Sequence, residues 1–317
     1  LSYTTFQVTP ISGKLEKNTV KIDVKVENTG IFPGKEVVQA YMTAPQGKLG
    51  KAKKVLCAFQ KTKELQPEEE TVVQLHFDIR EFGSFDDLGK IEYCAFLLEK
   101  GEYTIHIGTN VRQTQQALAF TLPENIIIRR CKPYLAPKAL PERLTANGTM
   151  EKLPVGQDMP HPIRGYRLKS QPVPQFPLLQ AYRENRLYEF MASMPDEELS
   201  ELLYGHPMAN VSLTNGIGAT PKYYSRDKKR IPLVPTTDGP MGVRARPGRG
   251  VYTTFFPCST AMAQTWNLPL VKKAGAAIAA EAKENNIGIW LAPALNIHRN
   301  PMCGRNFEYY SEDPLTS

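Results

Sequence analysis

Hydrophobic and polar residues alternate in the first part of the chain. Val20, Ile22, Val24 and Val26 are interleaved with Lys21, Asp23, Lys25 and Glu27, the period-two signature of a strand with one face buried. The alternation returns at Val73, Leu75, Phe77 and Ile79, and again at Tyr103, Ile105 and Ile107. Turn residues punctuate these runs at Asn28-Thr29-Gly30, Phe32-Pro33-Gly34, Gln66-Pro67-Glu68 and Lys100-Gly101, as expected between antiparallel strands. Residues 1–123 therefore predict a small all-β sandwich.

The pattern then changes twice. Between 124 and 180 periodicity is lost and prolines crowd together (Pro133, Pro137, Pro141, Pro154, Pro160, Pro162, Pro172, Pro174 and Pro177), which predicts an extended, semi-rigid connector. Helical periodicity begins near 178, with helices expected over 178–191 and 195–204. The second has Pro195 near its start and Gly205 past its end. A short apolar run at 231–234 reads as a strand leading into Thr236-Thr237-Asp238-Gly239-Pro240. Helices are expected at 259–265 and 268–285, broken at Trp266-Asn267, and a further strand at 287–291. Strand, helix, strand at this spacing is a βαβ unit. A complete (β/α)8 barrel takes roughly 250 residues, so 181–317 is expected to be the first part of a TIM-type barrel with about two of its strands.

The length fits about two domains, and 41% hydrophobic residues is ordinary for a globular protein. The formal charge of +7 raises the question of an acidic partner. Basic pairs such as Lys53-Lys54, Lys228-Lys229-Arg230 and Lys272-Lys273 are scattered among carboxylates, without the aromatic-interleaved stripe of a nucleic-acid binder, so no nucleic-acid partner is expected. Cys57, Cys94, Cys131, Cys258 and Cys303 are odd in number and not closely spaced, which argues against a disulfide framework and against zinc. No apolar run approaches a membrane span, and no membrane association is expected.

Candidate chemistry gathers at two places. Asp238 follows a short apolar run and precedes Gly239-Pro240, with Arg244 close behind. Taken alone, Asp-Gly-Pro is an ordinary turn; in a binding reading the carboxylate and the guanidinium each offer paired hydrogen bonds to sugar hydroxyls. The stretch 296–314 packs charged, aromatic and turn residues together after an apolar segment, where a buried strand gives way to a loop that carries function in parallel barrels. Within it Arg305 and Glu308 suggest either a binding pair or a structural ion pair. His298 and Cys303 are two candidate metal ligands without a third, so a structural histidine is the expected reading, and no metal is assigned. Glu312-Asp313 before Pro314 reads as a cap and first-turn charge. Nucleotide-binding glycine loops and the Gly-x-Ser-x-Gly elbow are absent from the sequence, and no cofactor is expected.

Thr237-Asp238-Gly239-Pro240 with Gly242-Val243-Arg244, Phe256-Pro257, Thr265-Trp266-Asn267, Glu281-Ala282 and the 296–314 run together resemble the barrel signature of glycoside hydrolase family 3, the β-glucosidase and β-xylosidase family. The N-terminal part resembles that family's fibronectin type III-like domain, through Val26-Glu27-Asn28-Thr29-Gly30, Gly34-Lys35-Glu36-Val37-Val38-Gln39-Ala40-Tyr41, Phe59-Gln60-Lys61-Thr62 and Gly101-Glu102-Tyr103-Thr104. Here the fibronectin-like part precedes the barrel part, which resembles the permuted members. The resemblance implies an α/β domain before residue 1 and most of a barrel after residue 317, the chain being cut at both ends. It further implies retaining hydrolysis of terminal β-D-glucosyl residues, with the nucleophile Asp and the acid/base Glu both outside this segment and no catalytic residue within it. Asp238, Arg244 and Arg305 are the implied substrate-binding residues, and a β-linked oligosaccharide or glucoside the implied partner. A xylose or arabinose specificity, a non-catalytic sugar-binding or assembly role, and the oligomeric state all stay open on the sequence.

Overall fold

Strands β1 (Phe6–Glu16), β2 (Thr19–Asn28), β3 (Val37–Thr43), β4 (Val55–Lys61), β5 (Glu70–Asp78), β6 (Ser84–Asp86), β7 (Ala95–Leu98), β8 (Gly101–Gly108), β9 (Thr114–Leu122) and β10 (Ile126–Arg130) build the first of two units, residues 1–167. The computed structural model describes residues 2–132, 141–145, 147–152, 184, 186–192, 195–196, 223–224, 230–231, 235–244 and 251–317. One sheet has the order β1-β2-β5, a second β4-β3-β8-β9, and a third β10-β7-β6. Every period-two position read from the sequence faces the core: Val20, Ile22, Val24 and Val26 pack with Val73, Leu75 and Phe77 from one sheet against Val38, Ala40, Met42, Tyr103, Ile105 and Ile107 from the other. Pro10 lies in β1 at an outer edge, beside a bulge between Pro10 and Ser12, where a missing N–H costs no ladder bond.

Buried polar groups lock the turns. Asn28 is fully buried. Its amide donates to the carbonyls of Phe32 (2.8 Å) and Leu65 (2.9 Å), and its oxygen accepts from Thr4 Oγ1 (2.7 Å) and Gly30 N (3.1 Å). With two donors and two acceptor sites used, it carries no desolvation penalty of the kind an unpaired buried amide would. Asp86, also fully buried, accepts from the backbone N–H groups of Lys90, Ile91 and Glu92 at 3.0, 2.7 and 2.9 Å. Glu99 accepts from Lys48 N and Leu49 N and pairs with the buried Lys51.

Pairing continues past residue 123, into the stretch expected as a connector. β10 pairs antiparallel with β7, and β11 (Glu142–Leu144) pairs with β12 (Met150–Lys152). Arg143 of that hairpin reaches the Lys48 carbonyl at 3.3 Å, and Glu151 pairs with Lys90 at 3.2 Å. Ile126, Ile127 and Ile128 form an apolar run without prolines, the signal that marks the strand. Residues 153–183 lie outside the described set.

The second unit, residues 168–317, contains α1 (Arg186–Ala192), an antiparallel pair β13 (Tyr223–Tyr224) and β14 (Arg230–Ile231), β15 (Thr236–Asp238), α2 (Ser259–Ala263), α3 (Leu268–Glu284) and β16 (Ile289–Leu291). β15 and β16 are parallel, with Thr237 opposite Trp290 and Asp238 opposite Leu291, so the expected βαβ unit is present. The expected helix 178–191 coincides with α1 at its C-terminal end, while most of 195–204 lies outside the described residues. The parallel strand β15 lies at Thr236–Asp238, just after the apolar run at 231–234 that was expected to carry it and of which 232–234 lie outside the described residues; Pro235 has no N–H for a ladder, and the β-branched Thr236 and Thr237 follow.

Local chemistry sets the bounds of α3. Trp266 takes a left-handed φ of 50° and breaks α2 from α3. The Asn267 side chain caps the new helix by accepting from Leu270 N at 3.2 Å. At the far end Asn286 has φ 54°, Asn286 N donates to Lys283 O (3.1 Å) and Ile287 N to Ala282 O (2.9 Å), the paired bonds of a Schellman stop. Ile278 and Ala282, one turn apart, pack with Val243 and Ile287 and against Phe256 and Trp290. That small core fixes α3 behind the two parallel strands.

Candidate functional site

The end of β15 turns sharply because two glycines permit it. Gly239 has φ 132° and Gly242 φ 119°, values that side chains other than glycine's rarely tolerate. A Cβ on Gly239 would lie 1.8 Å from the Gly242 oxygen, and one on Gly242 would lie 2.4 Å from the Thr254 oxygen. Gly242 N donates to Gly239 O at 3.0 Å and Phe256 N to Met241 O at 2.8 Å. Trp290, on β16, donates its indole N–H to Gly239 O at 2.9 Å. From α3, Glu281 accepts Thr254 N at 2.8 Å. The turn is thus tied to both strands' neighbours and to the helix behind them.

Around this turn opens a cleft of about 510 Å³, lined by residues 239–244, by 251–255, and by Phe307 and Glu308. Tyr252, Phe255 and Phe307 are exposed, and Arg244 is exposed as well. Flat rings, a cation and a carboxylate around an open cleft suit a ligand with apolar faces and many hydroxyls.

The sequence-derived residues divide between the cleft and its supports. Arg244 lines the cleft. Asp238 is the last residue of β15, half-buried, immediately before the lining turn and not itself among the lining residues; its expected place just past the strand is one residue off. Buried Thr237 sets the backbone there, its hydroxyl reaching the carbonyls of Asp238 (3.0 Å) and Arg244 (3.4 Å). Arg305 Nε engages Glu308 Oε1, with Glu308 buried and Arg305 largely exposed. Of this pair Glu308 lines the cleft and Arg305 does not, so here the arginine closes an ion pair that orders the loop.

The remaining polar residues of the last loop hold it in place. His298 Nε2 lies 2.8 Å from the Asn306 carbonyl and 3.2 Å from that of Tyr309; both partners are acceptors, so this nitrogen carries the proton. Thr260 of α2 donates to Tyr309 O at 2.8 Å. Asp313 accepts from Leu315 N (2.9 Å) and Thr316 N (3.0 Å), closing a turn at 312–316 where a helix cap was expected. Burial pushes the Tyr310 phenol above its ordinary value. Among the described residues no three His, Cys, Asp or Glu side chains group in a way that would hold a metal ion, and no helix is long and apolar enough to cross a membrane. Residues 251–255 and Trp290 were not anticipated as parts of the site; the aromatic density of Tyr252, Phe255 and Phe256 in an aperiodic stretch was the available signal.

Known proteins share these features. Residues 189–317 match the glycosyl hydrolase family 3 N-terminal domain, and residues 36–111 match a fibronectin type III-like domain. Beta-glucosidase A of Butyrivibrio fibrisolvens is 42% identical over 94% of this chain and 39% of the relative. A beta-glucosidase of Ruminococcus albus is 36% identical over 99% of this chain and 34% of the relative. The crystal structure of a beta-glucosidase from Paenibacillus barengoltzii superposes with a TM-score of 0.78 and 32% identity, over 100% of this chain and 37% of that one. The chain thus spans little more than a third of the length of the curated relatives it matches.

Proposed function

We propose, from the premise that this chain belongs to glycosyl hydrolase family 3 and carries that family's N-terminal domain behind a fibronectin type III-like domain, that it is part of a β-glucosidase acting on terminal non-reducing β-D-glucosyl residues. The observation that carries the reading is the 42% identity to a beta-glucosidase across 94% of the chain, continuous through both domains in the same order. The parallel β15–β16 pair with α3 between its strands supports reading 181–317 as the first part of a (β/α)8 barrel, whose sites form at the C-terminal ends of the strands. Asp238 ends such a strand.

In this reading Asp238, Arg244 and Arg305 hold the terminal sugar, and Tyr252, Phe255 and Phe307 offer ring faces to it. Arg305 then keeps its Nε on Glu308 and turns the terminal guanidinium N–H groups of its largely exposed side chain to sugar hydroxyls. Retaining hydrolysis uses two carboxyl groups about 5 Å apart, one as nucleophile and one as acid/base; neither role is assigned to a residue of this chain. The role of these residues is to orient the sugar for that pair.

Hydrolysis of aryl β-glucosides and aryl β-xylosides by the enzyme that contains this chain is the test. Glucoside turnover should dominate. Asp238→Ala should lower kcat/KM by a factor of about 10²–10⁴, since hydrogen bonds to a charged group are worth about 1.5–3 kcal/mol each. Unchanged kcat/KM in the variant, or faster xyloside hydrolysis, would overturn the assignment. The 317-residue chain by itself should show no turnover, and turnover abolished by Asp238→Ala would show that the catalytic pair lies within it.

A further inference from the structure

Strand β10 of the first unit runs into one thiol, Cys131, beside a second, Cys94. β10 pairs with β7 through Arg129 opposite Phe96 and Arg130 opposite Ala95. One step further along both strands, Cys131 meets Cys94. The Cys131 N–H donates to the Cys94 carbonyl at 2.7 Å. With ordinary covalent dimensions that bond keeps the two Cα atoms within about 6.5 Å of each other, inside the range of roughly 4.4–6.8 Å that disulfides span. Both thiols are free, Cys94 buried and Cys131 half-buried. Cys94 has φ 56° and sends its own N–H to Asp86 O, at 2.8 Å, so its backbone is anchored to both neighbouring strands. Burial pushes the Cys94 thiol up, and the nearby Cys131 adds to the effect.

We propose that Cys94 and Cys131 are a redox-active cross-strand pair, which closes to a disulfide in the presence of a low-molecular-weight disulfide such as oxidised glutathione. Cys131, the more accessible of the two, loses its proton to solvent and attacks one glutathione sulfur. The glutathione S–S bond breaks, and the departing thiolate takes up a proton. Cys94 then gives up its proton and attacks Sγ of Cys131, forming the Cys94–Cys131 bond and releasing the second glutathione thiolate, which is protonated in turn. Two cysteine thiols are oxidised and one glutathione disulfide is reduced to two thiols. The product staples the end of β10 to the start of β7. A thiol pair buried on one side and open on the other suits such exchange, because the attacking sulfur is reachable and the resolving one is held in place.

The test uses the folded 317-residue chain carrying Cys258→Ser and Cys303→Ser, so that the other partly accessible thiols do not compete. The protein is incubated with oxidised glutathione, quenched with acid, alkylated, and read by intact mass and peptide mapping. The expected product has lost two hydrogen atoms, retains no glutathione, joins the Cys94 and Cys131 peptides, and melts at a higher temperature until dithiothreitol reverses the shift. Cys131→Ser, a mild change at a half-buried position, should abolish both the joined peptide and the shift. Recovery of Cys94 as an alkylated thiol, whether Cys131 is free or stably glutathionylated, overturns the pair. A joined peptide without a change in melting temperature overturns the stapling.

Discussion

Gly242→Ala isolates what the turn beside the cleft requires of its backbone. At φ 119° an alanine is held in a conformation that costs about 1–3 kcal/mol. Its Cβ would also sit 2.4 Å from the Thr254 oxygen and 3.2 Å from Phe256 Cδ2. Thr254 cannot simply withdraw, because its N–H is bonded to Glu281 and the Phe256 N–H to Met241 O, both at 2.8 Å. Relief of the clash stretches at least one of these, worth about 0.5–1.5 kcal/mol. The sum is a loss of about 2–4 kcal/mol for the second unit. Trp266 and Trp290 are the only tryptophans in the chain and both lie in that unit, so urea unfolding followed by tryptophan fluorescence reads it selectively. At a slope of about 2 kcal/mol/M the midpoint should fall by about 1–2 M. Gly275→Ala is the control: it lies in α3 with nothing within 4 Å of its would-be Cβ and should raise stability by about 0.5–1 kcal/mol. A Gly242→Ala midpoint equal to that of the parent, or of Gly275→Ala, would refute the claim that φ and the Thr254 contact dictate glycine here.

Two further substitutions probe groups buried elsewhere. Tyr103→Phe removes the hydroxyl that donates to Glu99 O at 2.8 Å and should cost about 1 kcal/mol at neutral pH. Burial pushes the Tyr103 phenol up to about 12, against about 10 for an unfolded tyrosine; a raised folded value stabilises below pH 10 and is lost as pH rises towards 12. Calorimetric unfolding of the parent should therefore weaken across pH 10–12 more steeply than that of Tyr103→Phe, and parallel curves would remove Tyr103 as the cause. Thr260→Val removes the 2.8 Å bond to Tyr309 O, which keeps His298 as a donor; tryptophan-monitored unfolding should show a loss of about 0.5–1 kcal/mol, and no loss would mean that α2 does not anchor the last loop.

How far the sandwich could be read depended on which faces each strand buries. β2, β5 and β8 each have one wet face, so their valines, leucines and isoleucines alternate with charged or polar residues and announce both the strand and its register. β3 is buried on both faces through Val37–Met42. Its outward Gln39 donates to Thr109 O at 2.6 Å and accepts from the Tyr41 hydroxyl, so the run shows no period and was visible only through the family resemblance. Asp86 and Glu99 were invisible for a different reason. Asp86 accepts from backbone N–H groups of a loop, as Glu99 does beside its pairing with Lys51, and backbone partners leave no mark on the side-chain pattern.

The site was legible where backbone geometry restricts residue type and obscure where a contact depends on tertiary placement. Gly239 and Gly242 can be anticipated from Asp-Gly-Pro-Met-Gly, because a turn that passes carbonyls this closely excludes a Cβ. Nothing in the local sequence says that Trp290 on the neighbouring strand donates to the Gly239 carbonyl, or that Glu281 on α3 holds Thr254. Those two contacts join residues that the βαβ crossover brings together, so they become predictable once the parallel register of Thr237 with Trp290 is known. Arg305 shows the converse limit. Its spacing three residues before Glu308 fits a ligand clamp as well as an ion pair along one turn, and the structure has the ion pair. In the proposed reading the same arginine meets the sugar through the terminal guanidinium N–H groups, while its Nε stays on the buried Glu308 carboxylate, which ties substrate binding to the order of the 296–314 loop.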